Sequence, residues 1–216
     1  MYNFEYVIKK EALQVKKELI MIINQVQNIV RDKFTFNYYF IGSSSRNMIT
    51  QNVKSNIGFD FDVNIEINDD EEDYSAQEIR KIIKNAIDKV VKKSGYDYSE
   101  DSTRVLTIKF KETAFSKIKH SCDFAIVNNY GDGKQQYIRF NKGNGSYYWE
   151  QQPKGYSGLK TKADWLKQKG YWQEVRNIYI KKKNNNLNQN KKSRSLYAET
   201  INEVYQRHGS INEKRK

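Results

Sequence analysis

The segment Phe59–Asn68, FDFDVNIEIN, alternates without a break between apolar and polar side chains. Phe59, Phe61, Val63, Ile65 and Ile67 point one way, and Asp60, Asp62, Asn64 and Glu66 the other. A period of two belongs to a β-strand with one face on a core and one face in water. Aspartate is a poor strand former. Two of them inside this strand imply that the apolar face holds the segment while the acidic face serves another purpose. Side chains two positions apart leave the same face about 7 Å apart, which suits carboxylates that share divalent ions. An ordinary strand with a polar outer face would carry the same pattern, so the neighbours must decide.

Toward the N-terminus, Lys33–Ile41 (KFTFNYYFI) is aromatic and β-branched and reads as a strand that ends at Gly42. The polar stretch Ser43–Gly58 follows, with Ser43–Thr50 expected as a helical turn. Glycine lets backbone approach a phosphate, serine adds a hydroxyl, and N–H groups at a helix start favour an anion. A plain strand-to-helix turn would look the same. Ahead of this strand, Glu11–Arg31 reads as a long amphipathic helix, with Leu13, Ile20, Ile23, Val26 and Val30 at helical spacing.

Toward the C-terminus, an acidic run, Asp69–Asp73, leads to Ser75, which with Glu78 forms a capping box. The run reads as a solvated loop at a helix N-terminus. The helix extends to about Lys93, with Ile79, Ile82, Ile83, Ile87, Val90 and Val91 on its apolar face, and Gly95 ends it. Thr103–Phe110, His120–Val127 and Gln135–Asn141 read as strands, the first two as antiparallel neighbours. Asp123 stands inside the second of these, between Cys122 and Phe124. A carboxylate there is costly unless it is paired, metal-bound or at a wet face. His120 and Cys122 share the opposite face and read as packing residues.

The chain of 216 residues suits one generous domain or a domain with an appendage. With one cysteine and two histidines, a disulfide framework within the chain and a Cys/His zinc site are both disfavoured. Any metal should sit on oxygen ligands, which means Mg²⁺ or Mn²⁺. No apolar run is long enough to span a membrane, and Met1–Lys10 does not read as a secretory signal. A cytoplasmic location is therefore expected. The net charge of +12 points to a polyanionic partner. From Lys181 onward the chain holds ten basic and three acidic residues, a net +7, so the excess is concentrated at the C-terminus. The single proline, Pro153, marks an expected boundary between residues 1–152, an α+β domain with a long N-terminal helix, and residues 153–216, a helical, basic part. Helices are expected at Lys160–Gly170, Trp172–Tyr179 and Leu196–Arg207, with Lys181–Lys192 as a low-complexity mobile loop. Tyr147, Tyr148, Trp149 and Tyr156 cluster near that boundary, suited either to stacking a base or to an aromatic core.

The order of the pieces is a strand, Gly-Ser, a polar turn, a strand with Asp-x-Asp, a helix, then two strands, the second with one Asp. Ile41-Gly42-Ser43, Phe59-Asp60-Phe61-Asp62 and Cys122-Asp123-Phe124 carry it. Over residues 34–127 this resembles the nucleotidyltransferase superfamily of DNA polymerase β, poly(A) polymerases, oligoadenylate synthetases, bacterial cyclic-oligonucleotide synthases and antibiotic nucleotidyltransferases. The long helix ahead of the first strand is most similar to the oligoadenylate synthetase and cyclic-oligonucleotide synthase branch. Sixteen residues separate Ser43 from Asp60, a longer spacer than is usual there, and Gln51–Gly58 is expected to form the extra loop.

The resemblance implies an α+β, polymerase β-like fold, with a mixed or antiparallel sheet flanked by helices and a helical C-terminal part. It implies that Asp60 and Asp62 bind two Mg²⁺ (or Mn²⁺) ions and that Asp123 completes the ion at the acceptor hydroxyl. Gly42 and Ser43 would hold the β- and γ-phosphates, with Arg46 adding charge. Lys160 and Lys162, opening a C-terminal helix, are further candidates for the triphosphate. The substrate would be an NTP, ATP first, with a nucleotide or RNA as acceptor. Transfer to a small molecule such as an aminoglycoside, and a non-catalytic nucleic-acid-binding module, are the alternatives.

Overall fold

The computed structural model describes residues 2–69, 72–112, 117–131, 134–153, 155–188 and 190–213, without the side chains of 210–213. They group into two compact units. One comprises Val7–Gln51 and Ser55–Gln152; the other comprises the segment up to Tyr6, Asn52–Lys54 and the chain from Pro153 onward.

The first unit is α+β. Its helices are α1 (Lys9–Val30), the single turn α2 (Gly42–Ser45) and α3 (Ala76–Val91). Its seven-stranded sheet runs β2 (Thr35–Ile41), β4 (Ile57–Asn68), β7 (Lys117–Tyr130), β6 (Leu106–Glu112), β5 (Glu100–Asp101). β8 (Lys134–Asn141) pairs with the far end of β7 and with β9 (Ser146–Gln151). β4 and β7 are parallel, and the remaining pairs are antiparallel, so the sheet is mixed.

The alternation in β4 does what its spacing predicts. Phe59, Phe61, Val63, Ile65 and Ile67 are all buried, in one core with Leu19, Ile22, Ile23 and Val26 of α1 and Ile79, Ile83, Ile87 and Val90 of α3. Burial of each such side chain stabilises the fold by about 1.5–3 kcal/mol before entropy is counted, and this fixes the register that leaves Asp60 and Asp62 on the other face. α3 starts with the expected capping box: Glu78 N–H donates to Ser75 Oγ, and Ser75 N–H donates to the Glu78 carboxylate. Among the acidic residues before it, the Asp69 carboxylate accepts from the N–H groups of Asp73 and Tyr74, and Asp70 and Glu71 lie outside the described residues.

Three expectations are corrected here. The helical turn after β2 is only Gly42–Ser45; Met48, Ile49 and Thr50 are buried, and Thr50–Asn52 is a short strand, β3. The expected loop at Gln51–Gly58 therefore shrinks, because β4 already begins at Ile57. Tyr147 and Trp149 belong to β9 and pack against the core of this unit, while Tyr156 belongs to the other unit.

The second unit is built on α4 (Leu159–Gln168), α5 (Trp172–Asn184) and α6 (Ser193–Glu213). Its core comprises Ala163 and Leu166, Val175 and Tyr179, and Leu196, Tyr197, Ala198, Ile201 and Val204. β1 (Phe4–Tyr6) joins it: Asn184 bonds both the N–H and the carbonyl of Phe4, and the Tyr6 hydroxyl donates to the Arg176 carbonyl at 2.8 Å. Lys181–Asn184 forms the last turn of α5 rather than loop, because the favourable helix ends where the asparagines accumulate. Among the described residues, no helix is long and apolar enough to cross a membrane.

Candidate active site

Strand register assembles the acidic face. Asp62 of β4 is the partner of Asp123 of β7, and Asp60 is the partner of Ser121. Register partners in adjacent strands share a face, so the three carboxylates at 60, 62 and 123 stand on the side of the sheet away from α1 and α3. On the other flank of β7, Thr107 of β6 is opposite Asp123, and its hydroxyl donates to Asp123 Oδ1 at 2.5 Å.

β2 brings Ile41 opposite Asp62, and the chain then turns sharply over that carboxylate. Gly42 has φ +65°, and a Cβ on it would stand 2.2 Å from Asp62 Oδ2. Only glycine combines that backbone conformation with so close an approach. The hydroxyls of Ser44 and Ser45 donate back to the carbonyls of Ile41 and Gly42, at 2.9 and 3.0 Å, and tie the turn to the strand. The Ser43 carbonyl accepts from the N–H groups of Arg46 and Met48. Arg46, just past the turn, is near enough for its charge to act on Asp62.

The electrostatics follow from this crowding. Burial, then the charges of Asp60 and Asp123, push the Asp62 carboxyl up to about 6, with Arg46 partly opposing them. The Asp123 carboxyl is also raised, by burial first, against the stabilising hydrogen bond from Thr107. A group of acids held this way is short of positive charge. On the opposite face, burial pushes the Cys122 thiol well above its usual value. His120 is pushed down to about 4 by burial, stacks on Phe110, and meets the Tyr96 hydroxyl at 2.7 Å. Both are packing residues.

The donors on the acidic face are carboxylates, which suit a hard divalent cation. Among the described residues, no three acidic, histidine or cysteine side chains are yet gathered around one point as an ion would require. Asp62 is turned to Gly42 and Asp123 to Thr107. The donor set therefore fits Mg²⁺ in chemistry, and binding would require these side chains to turn inward.

Lys160 and Lys162 lie on α4, in the second unit. Lys160 pairs with Asp164 at 2.9 Å, and Lys162 donates to Asn202 Oδ1 at 2.7 Å beneath the Tyr205 ring. Thr107 is a site residue that the sequence does not single out. Its position opposite Asp123 depends on a register shift between Phe110 and Lys111, and no residue pattern declares a bulge of that kind.

No family model matches the sequence, and no curated protein matches it significantly. Solved structures do match. The Vibrio cholerae DncV cyclic AMP-GMP synthase, described as a prokaryotic cGAS homolog, aligns at TM-score 0.58 and 10% identity, over 81% of this chain and 60% of that one. A mutant of the Vibrio cholerae dinucleotide cyclase DncV, in complex with ATP, GTP and 5MTHFGLU2, aligns at 0.65 and 10% identity, over 91% and 68%. Escherichia coli DncV with 3'-deoxy GTP aligns at 0.55 and 15% identity, over 91% and 53%. The chain thus spans about three fifths of the length of the first of these. At such identities the likeness is one of architecture: the chain has the α+β nucleotidyltransferase fold of DncV, with its mixed sheet and C-terminal helices.

Proposed function

We propose that the chain transfers a nucleoside monophosphate from an NTP, ATP first, to a hydroxyl of a nucleotide or RNA, with release of pyrophosphate. The observation that carries this reading is that Asp60, Asp62 and Asp123 share one sheet face, with Asp62 against the Gly42 turn. The fold it shares with DncV, which has been solved with ATP and GTP, supports it.

In this reading the acceptor oxygen attacks the α-phosphorus, the bond from that phosphorus to the α,β-bridging oxygen breaks, and pyrophosphate leaves. Asp60 and Asp62 would hold both Mg²⁺ or Mn²⁺ ions, and Asp123 would hold the one at the acceptor. Bound there, the ions would neutralise the triphosphate and acidify the attacking hydroxyl. Asp123 would help to take up that proton. The rigid β4–β7 pair orients the three carboxylates, and Thr107 holds Asp123 by its hydroxyl. The Gly42–Ser43 backbone would meet the β- and γ-phosphates at close range, with charge from Arg46.

The test is incubation of the protein with each labelled NTP, singly and in pairs, with Mg²⁺ or Mn²⁺, and identification of products by mass. A phosphodiester-linked product with pyrophosphate is expected, and it should vanish in Asp60→Asn/Asp62→Asn. Absence of product from every NTP pair, or a product that survives the double substitution, overturns the assignment.

A further inference from the structure

The charge of the chain is divided unequally. From Pro153 onward the sequence holds sixteen Lys and Arg against five Asp and Glu, a net +11, while the whole chain carries +12. The surplus thus belongs to the helical unit, and residues 1–152 are nearly neutral. So large a surplus on one small unit is the electrostatic footprint of a surface for a polyanion. Four acids of this part have described side chains, and each already pairs with a cation: Asp164 with Lys160, Glu174 with Arg207, Glu199 with Lys191 and Glu203 with Lys182.

The side of α5 that meets β1 carries aromatic rings and cations in alternation. Trp172, Arg176 and Lys183 fall within about 40° of one another around the helix. Lys167 Nζ stands over the Trp172 ring at 4.7 Å, the Arg176 guanidinium over Tyr6 at 3.8 Å and Lys183 Nζ over Phe4 at 4.2 Å. Tyr2, Phe4 and Tyr6 recur at every second residue, so their rings share one side of the extended segment about 7 Å apart, and Glu5 points the other way. Phe4 and Tyr6 are half-buried, while Tyr2 is 42% exposed with its ring 5.6 Å from that of Phe4.

We propose that this face binds single-stranded nucleic acid, with bases stacked along Tyr2, Phe4 and the Arg176–Tyr6 pair and phosphates met by Lys183 and Lys167. Rings spaced along an extended segment give successive bases a platform whatever their identity. A guanidinium stacked on a ring has a second planar face, and bases stack on such planes. A duplex hides the faces of its bases, and a lipid surface calls for an aliphatic face, which this row of rings and cations is not. The surface lies wholly within the helical unit and needs no chemistry at Asp60, Asp62 and Asp123.

Fluorescence anisotropy with a labelled single strand of mixed sequence, about 20 nucleotides long and so longer than one site of this kind, tests the proposal. The full chain should bind the strand at least about tenfold more tightly than the corresponding duplex. Ribose and deoxyribose versions form two arms, and the tighter one names the natural ligand. Tyr2→Ala removes an exposed ring at little cost to folding and should weaken single-strand binding by about fivefold or more, with duplex binding unchanged. Arg176→Gln/Lys183→Gln should make the dependence of log affinity on log salt shallower by about 1.4. Lys92→Gln/Lys93→Gln, an exposed pair in the other unit, removes the same charge and should leave that slope as it is. Should Arg176→Gln/Lys183→Gln lose its helical circular dichroism, Tyr2→Ala alone decides. Equal binding of strand and duplex, a single-strand affinity indifferent to Tyr2→Ala, or an equal change of slope in the two lysine-bearing double variants overturns the proposal. So does tighter binding to phosphatidylserine vesicles than to the strand, which would make this a membrane surface. Asp60→Asn/Asp62→Asn should bind the strand as the unmodified protein does, so failure of transfer and failure of this surface are read separately.

Discussion

Gly42 sits on the carboxylate of Asp62 so closely that a Cβ at position 42 would be 2.2 Å from Asp62 Oδ2, with φ at +65°. Gly42→Ala therefore meets two penalties. The left-handed conformation costs an alanine about 1–2 kcal/mol, and the methyl forces either the turn or Asp62 to move. We expect a loss of stability of about 1–3 kcal/mol, read as a lower denaturant midpoint with unchanged slope. Nucleotide incorporation should fall by about 100-fold or more, since displacement of a positioned group by about 1 Å has that effect. A variant with full activity would mean that the turn does not position Asp62.

The raised carboxyl of Asp62 makes stability depend on charge. Its folded value, about 6, lies above the ordinary value of 3.8. The folded state therefore holds this proton more tightly than the unfolded state. Metal-free stability should fall as pH rises from about 4 through about 6, and the strain should be present in full above that. Asp62→Asn removes it and should stabilise the metal-free protein at pH 7 by on the order of 1–3 kcal/mol, a rise in melting temperature of several degrees. His120 acts in the opposite sense. Its folded value of about 4 lies below 6.5, so the unfolded state takes up a proton first and acid destabilises the fold between about 6.5 and 4. The difference between wild type and Asp62→Asn across this range isolates the carboxylate. Magnesium should raise the melting temperature of the wild type and leave that of the variant nearly unchanged. A wild type indifferent to Mg²⁺, or an Asp62→Asn variant less stable than wild type without metal, would contradict the clustering.

Thr107 donates to Asp123 Oδ1 and favours its ionised form against burial. Thr107→Val keeps the shape and removes the donor. The Asp123 carboxyl should then rise further, and the acidic limb of the pH–rate profile should move to higher pH. A fall in kcat of about tenfold at pH 7 with KM little changed is expected, because the change touches the ionisation of Asp123 and not ground-state binding. An unshifted profile would show that another group sets the acidic limb.

The parts of the fold that are legible in the sequence are those set by local period. β4, α1 and α3 follow from apolar spacing, and the start of α3 follows from Ser75 and Glu78. The three aspartates are legible as a set because the order of elements resembles a known superfamily. That Asp62 faces Asp123 across a parallel pair is not legible, since neither strand states its neighbour. β9 escapes the reading because Ser146–Gln151 is short and aromatic, and such a run also fits a loop or an interdomain core. The single helical turn at Gly42–Ser45 is set by the burial of Met48 and Ile49, a tertiary effect that residue types alone do not reveal.

Arg80 is the clearest case of a residue hidden by its own periodicity, and it supports the site from behind. It lies on α3 at 1% exposure, where the spacing calls for an apolar side chain. Its guanidinium bonds Asp101 Oδ1 at 2.6 Å and the carbonyls of Ser102, Arg104 and Val105. Tyr147 donates its hydroxyl to the other oxygen of Asp101 at 2.8 Å. One buried cation thus fastens the segment that leads into β6, and β6 presents Thr107 to Asp123. Arg80→Met removes the donor to Asp101 Oδ1 and to the Ser102 and Arg104 carbonyls, while the Val105 carbonyl keeps the N–H and hydroxyl of Ser102, and breaking a buried pair in this way costs about 3–5 kcal/mol. Arg80→Met/Asp101→Asn removes the stranded charge as well and should recover part of that loss. If the double variant is no more stable than Arg80→Met, the hydrogen bonds to the carbonyls outweigh the ion pair in holding this segment. If Arg80→Met costs less than about 1 kcal/mol, well under the range for a broken buried pair, the segment is held by β6 and β9 without it.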